Sequence, residues 1–120
     1  MVMPVDISHY VLGHRERVKN EDQKREKFLA EAIYKAKQIA GELPRVFPGV
    51  EVYLFGSLTT EFYELTSDID LAIKGLREED YFKALKIAEE IGAPISVDLV
   101  QVEYAQETLQ KNIEREGVKL

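Results

Sequence analysis

Residues 50–74 read VEVYLFGSLTTEFYELTSDIDLAIK, and this stretch decides the fold. Residues 50–55 form a short run of β-branched and aromatic residues, which predicts a strand. Gly56-Ser57 ends that strand and opens a polar connection that has room for one helical turn. Residues 68–74 then alternate between polar and apolar side chains, which predicts a second strand. The sequence therefore places a Gly-Ser turn between two strands, shortly before a pair of aspartates.

The rest of the chain supplies helices on both sides of this stretch. Apolar residues recur at three- and four-residue spacings from about Arg15 until Pro44, which predicts a long amphipathic helix. The sequence further predicts a helix over 78–91 with Phe82 inward and Gly92 as its C-cap glycine, a strand over 95–102, and a helix over 103–116 with Tyr104 inward. This order predicts an α/β (α+β) fold, in which helices pack on a small mixed sheet. We expect residues 1–15 to be a tail or docking segment and residues 16–120 to be one domain.

Composition narrows the class of protein. The chain has 120 residues, of which 45% are hydrophobic and 32% charged, and its net charge is -6. An acidic chain repels a phosphate backbone, so nucleic acid is a disfavoured partner. With no cysteine there are no disulfides and no thiolate metal sites. The sequence shows neither a membrane-spanning apolar run nor a signal peptide, so we expect a cytoplasmic protein without a membrane partner.

Three aspartates occupy positions where aspartate is normally depleted. Asp68, Asp70 and Asp98 all lie within predicted strands. Residues two apart on a strand face the same way, so Asp68 and Asp70 project together with Cα atoms about 6.6 Å apart. If the strand that carries Asp98 is a neighbour, three carboxylates converge, and Mg²⁺ would resolve their repulsion. The simpler alternative is an edge strand whose aspartates face solvent.

The Gly-Ser turn has features that suit phosphate binding. Glycine lets a backbone approach a ligand closely, so Gly56 suits a binding turn. A helical turn beginning at Ser57 would present free N–H groups and a hydroxyl to a phosphate. A Gly-Ser pair after a strand is by itself an ordinary turn. Together with the carboxylates, however, it indicates nucleoside triphosphate chemistry.

These residues carry a resemblance to a known family. Gly56-Ser57, ten residues and Asp68-Ile69-Asp70 resemble the GS-x10-DxD signature of the DNA polymerase beta-like nucleotidyltransferase superfamily. Asp98 stands where that superfamily keeps its third carboxylate. The length, the helix before the signature and the ending IEREGVKL resemble the minimal nucleotidyltransferase (MNT) proteins. The resemblance covers roughly residues 25–120 and implies a single-domain polymerase beta-like fold.

The resemblance also implies a mechanism. Asp68 and Asp70 would hold Mg²⁺ on the triphosphate, and Asp98 would bind a second metal ion and activate the attacking hydroxyl. Gly56, Ser57 and Ser67 would contact the nucleotide and its phosphates. The substrate would be ATP or another nucleoside triphosphate, with two Mg²⁺ ions, or Mn²⁺ in their place. MNT proteins pair with HEPN-domain ribonuclease toxins, and some transfer AMP to a tyrosine of the toxin. We therefore expect an antitoxin that works in a homo- or hetero-oligomer.

The sequence departs from the family after the Gly-Ser pair. Thr60 stands where many members have arginine, and Glu61 stands where they have glycine. Arginine is a natural phosphate ligand, so this change removes a cation and adds an acid. A second hypothesis therefore stays open, in which the domain neutralises its partner by binding alone. Transfer to a small molecule or RNA end is a third, which the acidic charge disfavours.

Overall fold

The computed structural model confirms the predicted order of helices and strands. It describes residues 7–120, with side chains from residue 20 onward. The helices are α1 (Ile7–Val46), α2 (Tyr81–Gly92) and α3 (Glu107–Glu116), and the strands are β1 (Glu51–Phe55), β2 (Ile69–Lys74), β3 (Val97–Gln101) and β4 (Val118–Lys119). Short 3-10 turns cover Gly56–Thr59, Glu78–Asp80 and Val102–Tyr104.

The four strands form one mixed sheet in the order β3-β2-β1-β4. Strand β2 runs parallel to β3 and antiparallel to β1, and β4 pairs antiparallel with β1. The parallel pair is joined by α2, because parallel neighbours need a crossover connection. The first residues of β2 and β3 therefore lie at one edge of the sheet, together with the last residue of β1.

The core lies between one face of the sheet and helices α1 and α2. Because α1 turns once every 3.6 residues, its buried positions recur at alternating spacings of four and three residues. On the sheet, every second residue of β2 joins them. The fully buried members of this cluster include Ala32, Ala36, Ile39, Leu43, Ile69, Leu71 and Ile73. This apolar cluster fixes how the sheet sits on α1, and so which sheet face stays open.

Helix α1 is longer than the sequence pattern predicts. It begins at Ile7 rather than near Arg15, so part of the expected tail is helical, while residues 1–6 lie outside the described residues. It also continues past Pro44 to Val46. Proline removes a single backbone donor, and Phe47 N still donates to Leu43 O at 2.7 Å, so the last turn survives. No helix in the described part of the chain has the length and hydropathy needed to cross a membrane.

Three expectations about individual residues are wrong. Phe82 is 80% exposed, because the buried side of α2 follows Ala84 and Ala88 and Phe82 lies off that stripe. Tyr104 is 61% exposed, because it belongs to a 3-10 turn that ends before α3 begins. Gly92 is no left-handed cap: it is the last residue of α2, and a Cβ there would collide with the side chain of Val97. Its role is to let α2 approach β3.

Candidate active site

The sheet brings two of the predicted carboxylates into direct register. Asp70 of β2 is the Cα partner of Asp98 in the parallel strand β3. Neighbouring strands lie about 4.8 Å apart, and paired residues project from the same face. Ile69 and Leu71 are fully buried on the opposite face, so the predicted alternation is confirmed. Asp70 and Asp98 therefore stand side by side on the face that α1 and α2 do not cover.

Asp68 lies immediately before β2 rather than within it, and its side chain is exposed. Its charge nevertheless acts on its neighbour. Burial, followed by the charges of Asp98 and Asp68, raises the pKa of Asp70 to about 6. Within the described part of the chain, no lysine or arginine forms an ion pair with any of the three. The sheet edge is therefore a concentration of uncompensated negative charge.

This donor set suits a hard divalent cation. Among the described residues, no three acidic or histidine side chains close tightly enough around one point to hold a metal ion alone. Mutual repulsion keeps charged carboxylates apart. Mg²⁺ is commonly held by one or two carboxylates plus substrate phosphates, rather than by a complete protein cage. Asp70, Asp98 and Asp68 fit that pattern, with a triphosphate supplying the remaining oxygens.

The Gly-Ser turn packs directly against this cluster. Phe55, the last residue of β1, is the register partner of Asp70, so Gly56 follows beside the carboxylate. Gly56 has a positive φ of 78°, a conformation that favours glycine. A Cβ at Gly56 would also collide with the carboxylate of Asp70. The backbone approaches Asp70 as closely as it does only because residue 56 has no side chain.

The two predicted serine ligands differ in their surroundings. Ser57 lies in the 3-10 turn Gly56–Thr59, and its carbonyl accepts hydrogen bonds from the amide and hydroxyl of Thr60 at 3.0 and 2.8 Å. Ser67 holds a turn just before Asp68. Its amide donates to Glu64 O at 3.0 Å, and its Oγ accepts from Glu64 N at 2.8 Å. Ser67 therefore fixes the approach of the chain to Asp68, and its hydroxyl proton stays available as a donor.

The sequence pattern does not predict the contacts of one residue near the site, Arg25. The pattern of mixed charges suggests that Arg25 belongs to a solvated face of α1. Instead its guanidinium donates to Glu61 O at 3.2 Å and Tyr63 O at 3.1 Å, and it lies 4.7 Å from the centroid of the Tyr63 ring. A signal was present, because Arg25 precedes Phe28 and Leu29 by three and four residues and so extends the apolar stripe.

The family comparison agrees with this geometry. Residues 37–120 match the family model described as "Polymerase beta, Nucleotidyltransferase". No curated protein matches the chain. The matched region contains the Gly-Ser turn and all three aspartates, while Arg25 lies outside it.

Solved structures share the fold. The chain is similar to a crystal structure of the toxin-antitoxin MntA-HepT, with 22% identity over 72% of this chain and 68% of that chain and a TM-score of 0.55. It is also similar to a crystal structure of the toxin-antitoxin with AMP-PNP (24% identity, 68% and 69% covered, TM-score 0.57). A protein of Sulfolobus solfataricus provisionally described as a nucleotidyltransferase matches at 24% identity, over 80% of this chain and 85% of that chain, with a TM-score of 0.54.

Proposed function

Because this chain belongs to the polymerase beta nucleotidyltransferase family, we propose that it transfers AMP from ATP to a tyrosine of a HEPN-domain toxin and acts as its antitoxin. The observation that carries the proposal is the meeting of the Gly56 turn with Asp70, which stands in register with Asp98. Phosphate-binding backbone and metal-binding oxygens then lie at one edge of the sheet. The likeness to toxin-antitoxin structures supports the partner class.

The proposed reaction is a displacement at the α-phosphorus. The tyrosine oxygen forms a bond to the α-phosphorus, the bond from that phosphorus to the bridging oxygen breaks, and pyrophosphate leaves. The hydroxyl proton passes to a carboxylate, for which exposed Asp98 is our candidate. Asp68 and Asp70 would hold Mg²⁺, which supplies charge stabilisation for the attacking and leaving oxygens. Gly56 and Ser57 would hold the terminal phosphates.

A test of the proposal uses ATP labelled on the α-phosphate, Mg²⁺, the pure protein and an extract of its own host. We expect a labelled protein band whose tyrosine carries the label. Asp70→Asn should reduce labelling by about 10²- to 10³-fold, the range for losing one electrostatic group. Asp80→Asn is the matched control, because Asp80 lies beyond the opposite end of β2 and pairs with Arg77 at 3.1 Å. Equal labelling by wild type and Asp70→Asn would refute the proposal.

A binding-only antitoxin is the second candidate. It is favoured by the absence of a cation at the carboxylates in the described residues, and by Thr60, whose hydroxyl serves the loop's own hydrogen bonds. In that case Asp70→Asn would still neutralise the toxin when both are produced together. Loss of neutralisation with retained binding of the partner would instead support catalysis.

A further inference from the structure

The segment between the Gly-Ser turn and Asp68 has no regular secondary structure. Residues 60–68 contain only turns, a bend and irregular backbone, and Phe62 near their middle is 83% exposed. Its two ends are tied locally. Thr60 Oγ1 donates to Ser57 O and accepts from Phe62 N at 3.0 Å, and Ser67 bonds twice to Glu64. The middle depends on a contact from outside the segment.

Arg25 of α1 supplies that contact. One nitrogen of its guanidinium donates to Glu61 O and Tyr63 O, two carbonyls of the segment that lie two residues apart. The same guanidinium lies over the ring of Tyr63, and that ring packs against the hydrophobic core. Charged donors form stronger hydrogen bonds than neutral ones, and a cation over an aromatic face adds to them. Arg25 therefore attaches the segment to helix α1 through both the segment's backbone carbonyls and the side chain of Tyr63.

The position of this attachment matters because the segment joins two parts of the candidate site. At one end lies the 3-10 turn Gly56–Thr59, and at the other lies Asp68. Both parts lie just beyond the ladder pair Phe55–Asp70, so the sheet brings their backbones close but leaves the conformation of each part to the segment between them. An unattached segment would have to be ordered when a metal-nucleotide binds, and that ordering weakens binding.

We propose that Arg25 is a positioning residue that holds the 60–68 segment so that Asp68 and the Gly-Ser turn are set for the same metal-nucleotide. This inference rests on the proposed function. Arg25 touches neither phosphate nor metal in this role and acts through the loop. Loss of residues that orient a metal site commonly lowers affinity or activity by about 10- to 100-fold. We expect Arg25→Ala to fall in that range.

The first test measures amide hydrogen exchange in the metal-free protein. The amides of Phe62, Glu64 and Ser67 all have acceptors within the segment, so their exchange reports its order. Arg25→Ala should speed their exchange at least about tenfold, because the segment can then open without unfolding of the rest of the protein. Arg45→Ala is the matched control: it removes the same side chain from the same helix, where exposed Arg45 pairs with Glu42 three residues before it. Unchanged exchange in Arg25→Ala would overturn the proposal.

The second test measures binding of Mg²⁺ and a non-hydrolysable ATP analogue by calorimetry. Arg25→Ala should raise the dissociation constant about 10- to 100-fold. Arg25→Lys should recover part of the lost affinity, because it restores a charged donor. Both variants should unfold thermally like Arg45→Ala. Normal binding by Arg25→Ala despite fast exchange would overturn the positioning role alone. If the wild type binds no nucleotide, the proposed function fails instead, and amide exchange still decides whether Arg25 holds the loop.

Discussion

The two faces of β2 make opposite contributions to the protein. On one face, Ile69, Leu71 and Ile73 are fully buried in the cluster formed with α1 and α2. On the other, Asp70 is half-buried beside Asp98, and the pKa of Asp70 is raised to about 6 by burial and by neighbouring charges. The first face stabilises the fold by removing apolar surface from water. On the second face Ala72 is also fully buried, but the charge of Asp70 opposes stability when no cation is present.

The apolar face of β2 is required for folding, whereas the carboxylate of Asp70 is not. Strand β2 would fold well with threonine or serine at position 70, since nothing in the core depends on that carboxylate. Charged groups that oppose stability are typically found where a ligand later offsets them. The carboxylate face is therefore the part of β2 that function explains.

The largest effect on stability is expected on the apolar face. Leu71→Ala should lower the free energy of unfolding by about 3 kcal/mol, because it removes buried methyl groups and leaves a cavity. Equilibrium unfolding in urea with a metal chelator measures it. Lys74→Ala, at the exposed end of the same strand, should change the free energy by less than about 0.5 kcal/mol. Similar losses in both variants would contradict the assigned core face.

The next effect concerns the contact between the turn and the carboxylate. Gly56→Ala should lower the free energy of unfolding by about 2 kcal/mol, because alanine is strained at a positive φ and its Cβ meets Asp70. Gly41→Ala is the matched control. Gly41 is exposed in α1 with nothing near its Cβ position, so alanine should stabilise the helix by about 0.5–1 kcal/mol. Urea unfolding that gives both variants the same sign would refute this account of Gly56.

Much of this arrangement follows from short-range patterns. Alternation alone assigns Ile69 and Leu71 to the core and turns Asp70 away from it, and the structure agrees. Convergence of the carboxylates requires that β2 and β3 be neighbours, and the sheet order meets this requirement. The buried stripe of α1 also appears in the spacing of its apolar residues.

What the patterns miss depends on contacts between distant segments. Strand β4 has two residues, Val118 and Lys119, too few for alternation to be recognised, and it exists because β1 offers an unpaired edge. The role of Arg25 is set by Tyr63, 38 residues further along the chain, and the role of Gly92 is set by how closely α2 packs on Val97 of the next strand. Side-chain chemistry could be predicted from the sequence, whereas close approach between segments could not.

The carboxylate face should respond to Mg²⁺ in a pH-dependent way. At a Mg²⁺ concentration ten times the dissociation constant, binding should raise the free energy of unfolding by about 1.4 kcal/mol. The effect should be full at pH 8 and much smaller at pH 5, because Asp70 is protonated below its pKa of about 6. Thermal unfolding with and without Mg²⁺ checks this. Asp70→Asn should show a much reduced response at both pH values, and an equal response to wild type would place the ion elsewhere.

The smallest effect is a gain in stability when the charge of Asp70 is removed. In the unfolded chain the carboxyl is charged above about pH 3.8, whereas in the folded protein it stays protonated up to about pH 6. The folded state therefore binds the extra proton between these values, and stability falls as pH rises through this window. A shift of this size corresponds to about 3 kcal/mol. Since Asp70 is half-exposed, solvent screening reduces the expected effect to at most about 1 kcal/mol.

Asp70→Asn should therefore be more stable than the wild type in metal-free buffer at pH 8 and no more stable at pH 4. Urea unfolding at both pH values with a chelator measures the difference. Asp80→Asn serves again as control, because Asp80 pairs with Arg77 and lies away from the carboxylates of the candidate site. A gain of the same size at pH 4 and pH 8 would mean that the carboxylate charge is not its origin. The two faces of β2 would then differ in packing alone, and the electrostatic contrast between them would be lost.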